Sequence, residues 1–382
     1  MKRWIALSVM LIMLLGLCAC GEWITAPVQE LLEKSQTAQT PAPAEEPAAV
    51  QELEIVAVEE TTETPPAPEE APAAEETPAE PEDIEPANAH TEPFTVDTKI
   101  LDVIGHPAFS GFGRLLFPTA FEIPQRLPIQ ELYYLLPNYH SINPENAAEV
   151  LNALKDWSED GNTIFYDIYS EEEKAADPAK ADTGLFFFRG EPGAKFAVLS
   201  SGMAFRYVGS IHDSFPQAYE LSKRGYNAFA LVFRPGKVSG VEDLTRAVDF
   251  IFEHADELGV DTADYSIWGG SSGAHFAVWY CEQGAAAFGG TDHGKPAIVV
   301  TQYTASYEVN PNDVPTYANL GGRDTFCQAN AKARIADLQA MGIDAELDFY
   351  ENCWHGFGLG IGTEAEGWVD HAVAFWERHM SG

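Results

Sequence analysis

Between Phe196 and Thr301, four short apolar runs alternate with stretches of helical periodicity: Phe196–Leu199, Ala228–Phe233, Tyr265–Trp268 and Ala297–Thr301. None shows the apolar–polar alternation of a half-exposed strand, so each reads as a strand buried on both faces. From Asp243 to Leu258 the apolar residues Leu244, Ala247, Val248, Ile251, Phe252, Ala255 and Leu258 form an unbroken i, i+3, i+4, i+7 series, the stripe of a helix packed on such a sheet. Strands covered on both sides and joined by helices give a mainly parallel sheet between two helical layers. Few folds accommodate that pattern.

The alternation extends in both directions. Asn162–Tyr169 and Gly184–Phe188 are rich in β-branched and aromatic residues and can pair as an antiparallel edge. Thr316–Leu320 and Glu346–Tyr350 are weaker strand candidates, and Ala331–Met341 and Glu364–His379 carry further helical faces. Residues 96–382 therefore suit one α/β domain. Within it, 96–160 holds the stretch His106–Phe117 and the tyrosines Tyr133, Tyr134 and Tyr139, and it reads as a segment that can cap the site.

One stretch carries chemistry. Tyr265-Ser-Ile-Trp-Gly-Gly-Ser-Ser-Gly-Ala-His275 reads as strand, sharp turn and helix, and Gly269–Gly273 matches Gly-x-Ser-x-Gly. In that motif the serine stands on a strained turn, and glycines let the backbones on either side approach closely. The pattern alone is weak. Here a buried-type strand precedes it and a helix opening with small residues, Ala274 and Ala277, follows. Ser271 is the candidate nucleophile, in need of a base to take its proton.

These residues resemble those of the α/β-hydrolase superfamily, specifically bacterial esterases and acetyl-esterase-like proteins, over about Gly184 to the C-terminus. The family orders its triad serine, acid, histidine, each on a loop after a strand. The resemblance implies that Gly321-Gly-Arg-Asp324 supplies the acid and Asn352-Cys-Trp-His-Gly-Phe-Gly358 the histidine, making Asp324 and His355 partners of Ser271. Asp324 can instead cap a helix starting near Thr325, Asp313 or Asp348 can supply the acid, and His293 and His371 are rival bases. It also implies oxyanion donors from the amide of Ser272 and from the loop after Phe196–Leu199. Relatives often carry three glycines in that loop, and this chain has Ser201-Gly-Met-Ala-Phe205, so the matching donors are Met203 and Ala204. The triad works without a metal, so no cofactor is implied. If the triad forms, the Asp324 and His355 loops must meet, and Cys327 and Cys353 then have the chance to form a disulfide. His275 reads as a packed helix residue. Trp354 and Phe357 can line an acyl pocket or serve the core.

The N-terminus points to export. Lys2 and Arg3 precede an uncharged apolar run from Trp4 to Ala19, the order of a signal peptide and too short to span a bilayer. Its end, Leu17-Cys-Ala-Cys-Gly21, resembles the lipobox of bacterial lipoproteins and implies cleavage after residue 19 and lipidation of Cys20. Residues 20–95 then hold 19 acidic side chains against one lysine, with 12 of the 25 prolines. Such a segment cannot bury enough apolar area to offset its ordering entropy, and is expected to be a disordered, extended stalk. The whole chain carries a net charge of −37, which excludes nucleic acid and charge-driven membrane binding as partners; the lipid is the expected membrane contact.

The sequence thus predicts an outward-facing lipoprotein with a disordered stalk and an α/β-hydrolase domain. Its expected activity is cleavage of carboxylic esters of small molecules or carbohydrate through an acyl-serine. A serine peptidase of the same fold and a non-catalytic ligand-binding lipoprotein are the other readings.

Overall fold

The computed structural model describes residues 92–381. Residues 1–91, over which the sequence leads us to expect a signal segment (1–19), lipidation at Cys20 and a stalk, lie outside the described residues. Phe94, within the range read as stalk, is buried, and its amide donates to Asn152 Oδ1 at 2.7 Å.

Eight strands form one sheet: β1 (Phe165–Tyr166), β2 (Gly184–Phe188), β3 (Lys195–Ser200), β4 (Asn227–Val232), β5 (Asp261–Gly270), β6 (Ile298–Gln302), β7 (Thr316–Gly321) and β8 (Ala345–Tyr350). Their order is β1-β2-β4-β3-β5-β6-β7-β8. β2 runs antiparallel to both neighbours and every other pairing is parallel. The helices that matter for the site are α1 (Pro144–Glu159), α2 (Ser214–Lys223), α3 (Lys237–Glu253), α4 (Ser272–Gln283), α5 (Gln328–Ala340) and α6 (Trp368–Arg378). This is the α/β-hydrolase fold that the sequence predicts.

Side-chain alternation along the strands shows that both faces are covered. On β5, Tyr265 meets Phe252 of α3 with ring centroids 5.3 Å apart, while Trp268, of opposite parity, meets Trp368 of α6 at 5.9 Å. On β2, Phe186 packs on Phe215 of α2 at 4.7 Å and Phe187 stacks on Phe229 of β4 at 4.2 Å. Every residue of β2, β4, β6 and β7 is buried, which is why these runs show no polar alternation.

Two elements differ from expectation. The strand expected over 162–169 is only two residues long, because its flanking carbonyls are taken by side chains: Arg189 donates to Thr163 O at 3.0 Å and Arg246 to Ile168 O at 2.8 Å. The helix expected over 243–258 begins six residues earlier and breaks at His254, whose φ of −114° leaves the helical range before Ala255–Leu258 resumes. Periodicity reports which face is buried, and a face can continue across a break in backbone geometry.

Parallel strands send their following loops to the same edge of the sheet. The segments after β3, β5, β6, β7 and β8 therefore gather at one rim, where a ligand site is expected in an open α/β sheet.

Candidate active site

Ser271 occupies the one-residue turn between β5 and α4, with φ 49° and ψ −112°. Glycines on both sides make the turn possible. A Cβ at Gly269 would strike the backbone of Gly273, and one at Gly273 would strike Ser200 O of β3. The strand and helix thus approach too closely for any side chain, as the motif requires. Ser271 N donates to Gln302 O at 2.9 Å, fixing the turn against the end of β6.

The candidate acid and base follow β7 and β8. His355 Nε2 lies 3.0 Å from Ser271 Oγ, and His355 Nδ1 lies 2.7 Å from Asp324 Oδ2. An ionised carboxylate only accepts, so Nδ1 carries the proton and the Nε2 lone pair faces the serine hydroxyl. Asp324 is buried, and its Oδ1 accepts from Cys327 N at 3.3 Å. The helix begins at Gln328 and not near Thr325, so one oxygen of Asp324 braces the turn before α5 while the other meets the imidazole.

The rival residues are engaged elsewhere. Asp313 pairs with Arg334 at 3.0 Å, and Asp348 accepts from Tyr317, Tyr350 and His371. His293 bonds Asp249 at 2.9 Å. His275 packs against Phe205 and Trp279, and burial pushes its pKa down to about 4. Phe357 is fully buried against Tyr303 and Tyr350, whereas Trp354 stands exposed at the rim, stacked on His140 with centroids 5.5 Å apart.

The loop after β3 passes over the nucleophile. A Cβ at Gly202 would come within 2.7 Å of Ser271 Cβ. Beyond it Met203, Ala204 and Phe205 adopt φ of 122°, 55° and 61°. Seven described non-glycine residues have positive φ, and five of them, these three with Ser271 and Tyr303, border this site. Strain of this kind persists where surrounding structure enforces it, and it collects at functional sites. Gly202 N–H is used by Asp213, whereas the amides of Met203 and Ala204 meet no acceptor among the described residues. Ser272 N–H opens α4 and has no partner within the helix. Free amides beside a helix N-terminus favour an oxyanion.

Cys327 and Cys353, whose pairing the sequence leaves open, are both free thiols in the structure. The two loops do meet, but the thiols serve different neighbours. Cys327 Sγ donates to Tyr303 O at 3.2 Å and lies 3.7 Å from His355 Nδ1, while Cys353 Sγ donates to Thr363 Oγ1 at 3.4 Å. Burial, reinforced by Asp324, raises the Cys327 thiol pKa, so it stays protonated. Asp324, Cys327 and His355 bring ligand-type atoms within 4.8 Å of one another, the one such group among the described residues; the Asp324–His355 hydrogen bond occupies two of those atoms.

Sequence reasoning placed Tyr139 in a segment that can cap the site but missed His140, Asp213 and Tyr303. Tyr139 and His140 come from the segment before α1. His140 N donates to Gly356 O at 3.1 Å, and its Nδ1 lies 2.8 Å from His355 O. Tyr139 OH donates to Asp213, which also binds Gly202, Gln217 and Tyr303. Asp213 stands at the N-cap position of α2, yet its side chain caps nothing there. His212 and Tyr207, which follow the loop after β3, are buried, and burial lowers the His212 pKa.

Residues 211–295, which contain Ser271, match the BD-FAE family, an α/β-hydrolase-type family. No curated protein matches the chain. Among solved structures the chain is similar to an acetyl ester-xyloside bifunctional hydrolase from Caldicellulosiruptor lactoaceticus, at 16% identity and a TM-score of 0.49, covering 56% of this chain and 95% of that one. It is also similar to a propionate-bound thermophilic esterase from Thermogutta terrifontis, at 19% identity and a TM-score of 0.47, covering 53% and 92%. A third is an α/β-hydrolase enzyme from a Medee basin deep-sea metagenome library, at 16% identity and a TM-score of 0.45, covering 52% and 92%.

Proposed function

We propose that this chain hydrolyses carboxylic esters through an acyl-enzyme on Ser271. The carrying observation is the continuous relay from Asp324 through His355 to Ser271, with both hydrogen bonds at 2.7–3.0 Å. His355 Nε2 accepts the Ser271 proton as Oγ attacks the ester carbonyl, and Asp324 stabilises the imidazolium that results. Developing charge on the carbonyl oxygen falls to the amides of Ser272 and Met203, with Ala204 beside them. His355 then returns the proton to the departing alcohol, and water repeats the sequence to release the acid. The BD-FAE match over 211–295 supports a hydrolase.

The proposal extends to location and substrate. The basic-then-apolar N-terminus ending at Cys20 supports an outward-facing, lipid-anchored protein, and the acidic proline-rich stalk would hold the domain away from the membrane. Export and tethering favour substrates met outside the cell, and we assign acetyl and other short acyl esters of carbohydrate as the substrate class.

The test is hydrolysis of p-nitrophenyl esters of increasing chain length and of acetylated xylan by the full chain. Turnover of short esters, abolished in Ser271→Ala, is expected. Absence of turnover on every ester, or full turnover by Ser271→Ala, would refute the assignment.

A further inference from the structure

We propose that Asp213 is a positioning residue whose buried carboxylate locks the loop carrying the oxyanion donors to the wall behind the catalytic histidine. The inference rests on the ester-hydrolysing reading of Ser271.

Asp213 is 1% exposed, and the hydrogen-bond donors that reach it are neutral groups. Four donors converge on it. Oδ2 accepts from Tyr139 OH at 2.7 Å and from Gly202 N at 2.9 Å. Oδ1 accepts from Gln217 Nε2 at 2.6 Å and from Tyr303 OH at 2.9 Å. Those bonds fill the four lone-pair positions of an ionised carboxylate. Burying a charge without a counter-ion is costly unless hydrogen bonds saturate it, and here they do.

Each donor belongs to a different part of the rim. Gly202 precedes Met203 and Ala204, so with its own N–H committed to Asp213, the next amides are left for the substrate. Tyr139 brings in the N-terminal segment, which also holds Gly356 O and His355 O through His140. Tyr303 follows β6 with a strained φ of 34°; its ring lies against His355 with centroids 5.3 Å apart, and its carbonyl takes the Cys327 thiol. Gln217 ties the carboxylate to Gln302, whose carbonyl holds Ser271 N. The nucleophile's neighbour leaves no slack, since a Cβ on Gly270 would strike Asp213 Oδ2. A single carboxylate therefore sets the relative placement of the oxyanion loop, the nucleophile turn and the packing of the base. Displacement of the loop by about 1 Å is enough to cost ~10²-fold in rate.

The chemistry separates Asp213→Asn from Asp213→Ala. Asn can keep its oxygen on Gly202 N–H, the one donor that cannot reverse, while its amide donates to the Tyr303 hydroxyl and to a flipped Gln217. Ala leaves all four donors unmatched.

The experiment uses the full chain, with active sites titrated by a fluorophosphonate so that rates refer to competent molecules. A trifluoromethyl ketone, which forms an oxyanion on Ser271, reports the oxyanion hole directly. For Asp213→Ala we expect kcat on p-nitrophenyl acetate to fall ~10²-fold with KM within ~3-fold, and ketone affinity to fall by a similar factor. Asp213→Asn should restore most of both. If Asp213→Ala does not fold, Tyr139→Phe and Tyr303→Phe each remove one bond; each should lower kcat and ketone affinity together by ~3–10-fold.

Unchanged ketone affinity in the competent fraction of these variants would show a role in stability alone and overturn the proposal. So would an Asn variant as impaired as Ala. A wild-type chain that neither labels nor turns over esters refutes the ester reading itself, and this proposal falls with it.

Discussion

Replacing Asp324 by Asn should nearly silence the site while leaving the fold intact, and the structure says why. Asp324 Oδ2 receives the proton on His355 Nδ1 at 2.7 Å, and Oδ1 receives Cys327 N–H at 3.3 Å. A backbone N–H cannot become an acceptor, so Asn will keep its carbonyl oxygen on Cys327 and turn its amide toward His355. Nδ1 then has to accept, and the ring proton moves to Nε2, where it faces Ser271 Oγ at 3.0 Å. In that tautomer the imidazole cannot take the serine proton. The loss expected for the wrong tautomer is ~10⁴-fold in kcat, equivalent to about 5.5 kcal/mol of transition-state stabilisation. Steady-state hydrolysis of p-nitrophenyl acetate gives kcat and KM, and a thermal melt checks that the midpoint stays within a few degrees of wild type. An Asn variant within about tenfold of wild-type kcat would refute the tautomer argument. A comparable loss in Asp348→Asn instead would move the acid to another strand.

Three further outcomes are expected. Burial, with Asp313 adding to it, raises the Glu282 carboxyl to about 8, against the opposing pull of Arg334. Its stability contribution is therefore full below the unfolded value of about 4.5 and lost as pH rises through about 8. Wild type should lose melting temperature relative to Glu282→Gln between those values, and a constant difference would contradict the burial argument. Thiol counting on the denatured, unreduced chain should find Cys281, Cys327 and Cys353 all free, whereas a single free thiol among them would restore the bridge. Cys20→Ala should release the protein from membranes or block its processing, with turnover of soluble esters preserved; membrane retention of a normally processed Cys20→Ala chain would remove the lipid anchor.

What was legible in the sequence was local. The runs for β4, β6 and β7 are visible because every residue in them is buried, and the serine turn is visible because its glycines and serine are contiguous. Asp324 and His355 came from the family resemblance, which places acid and histidine on loops just past strand ends. Asp213 and Tyr303 carried no such signal, and Tyr139 was marked only as part of a capping segment. They act on one another across separations of 74 and 90 residues, and only the assembled sheet brings them together. The pairing of Cys327 and Cys353 stayed open in the sequence for a related reason. Meeting loops place Cys327 and Cys353 near one site, but side-chain direction sends one sulfur to Tyr303 and the other to Thr363. The start of α3 was hidden by Gly240, a poor helix former that is needed there because a Cβ would strike the Phe276 ring.

The central claim is that Ser271 is a nucleophile activated by His355, and covalent labelling tests it most directly. The full-length chain, treated with a fluorophosphonate probe and digested, should show the added mass on the peptide containing Ser271. Labelling should be lost in Ser271→Ala and slowed by orders of magnitude in His355→Ala, with both variants melting as wild type does. Probe on another residue, or undiminished labelling of Ser271→Ala, would contradict the account.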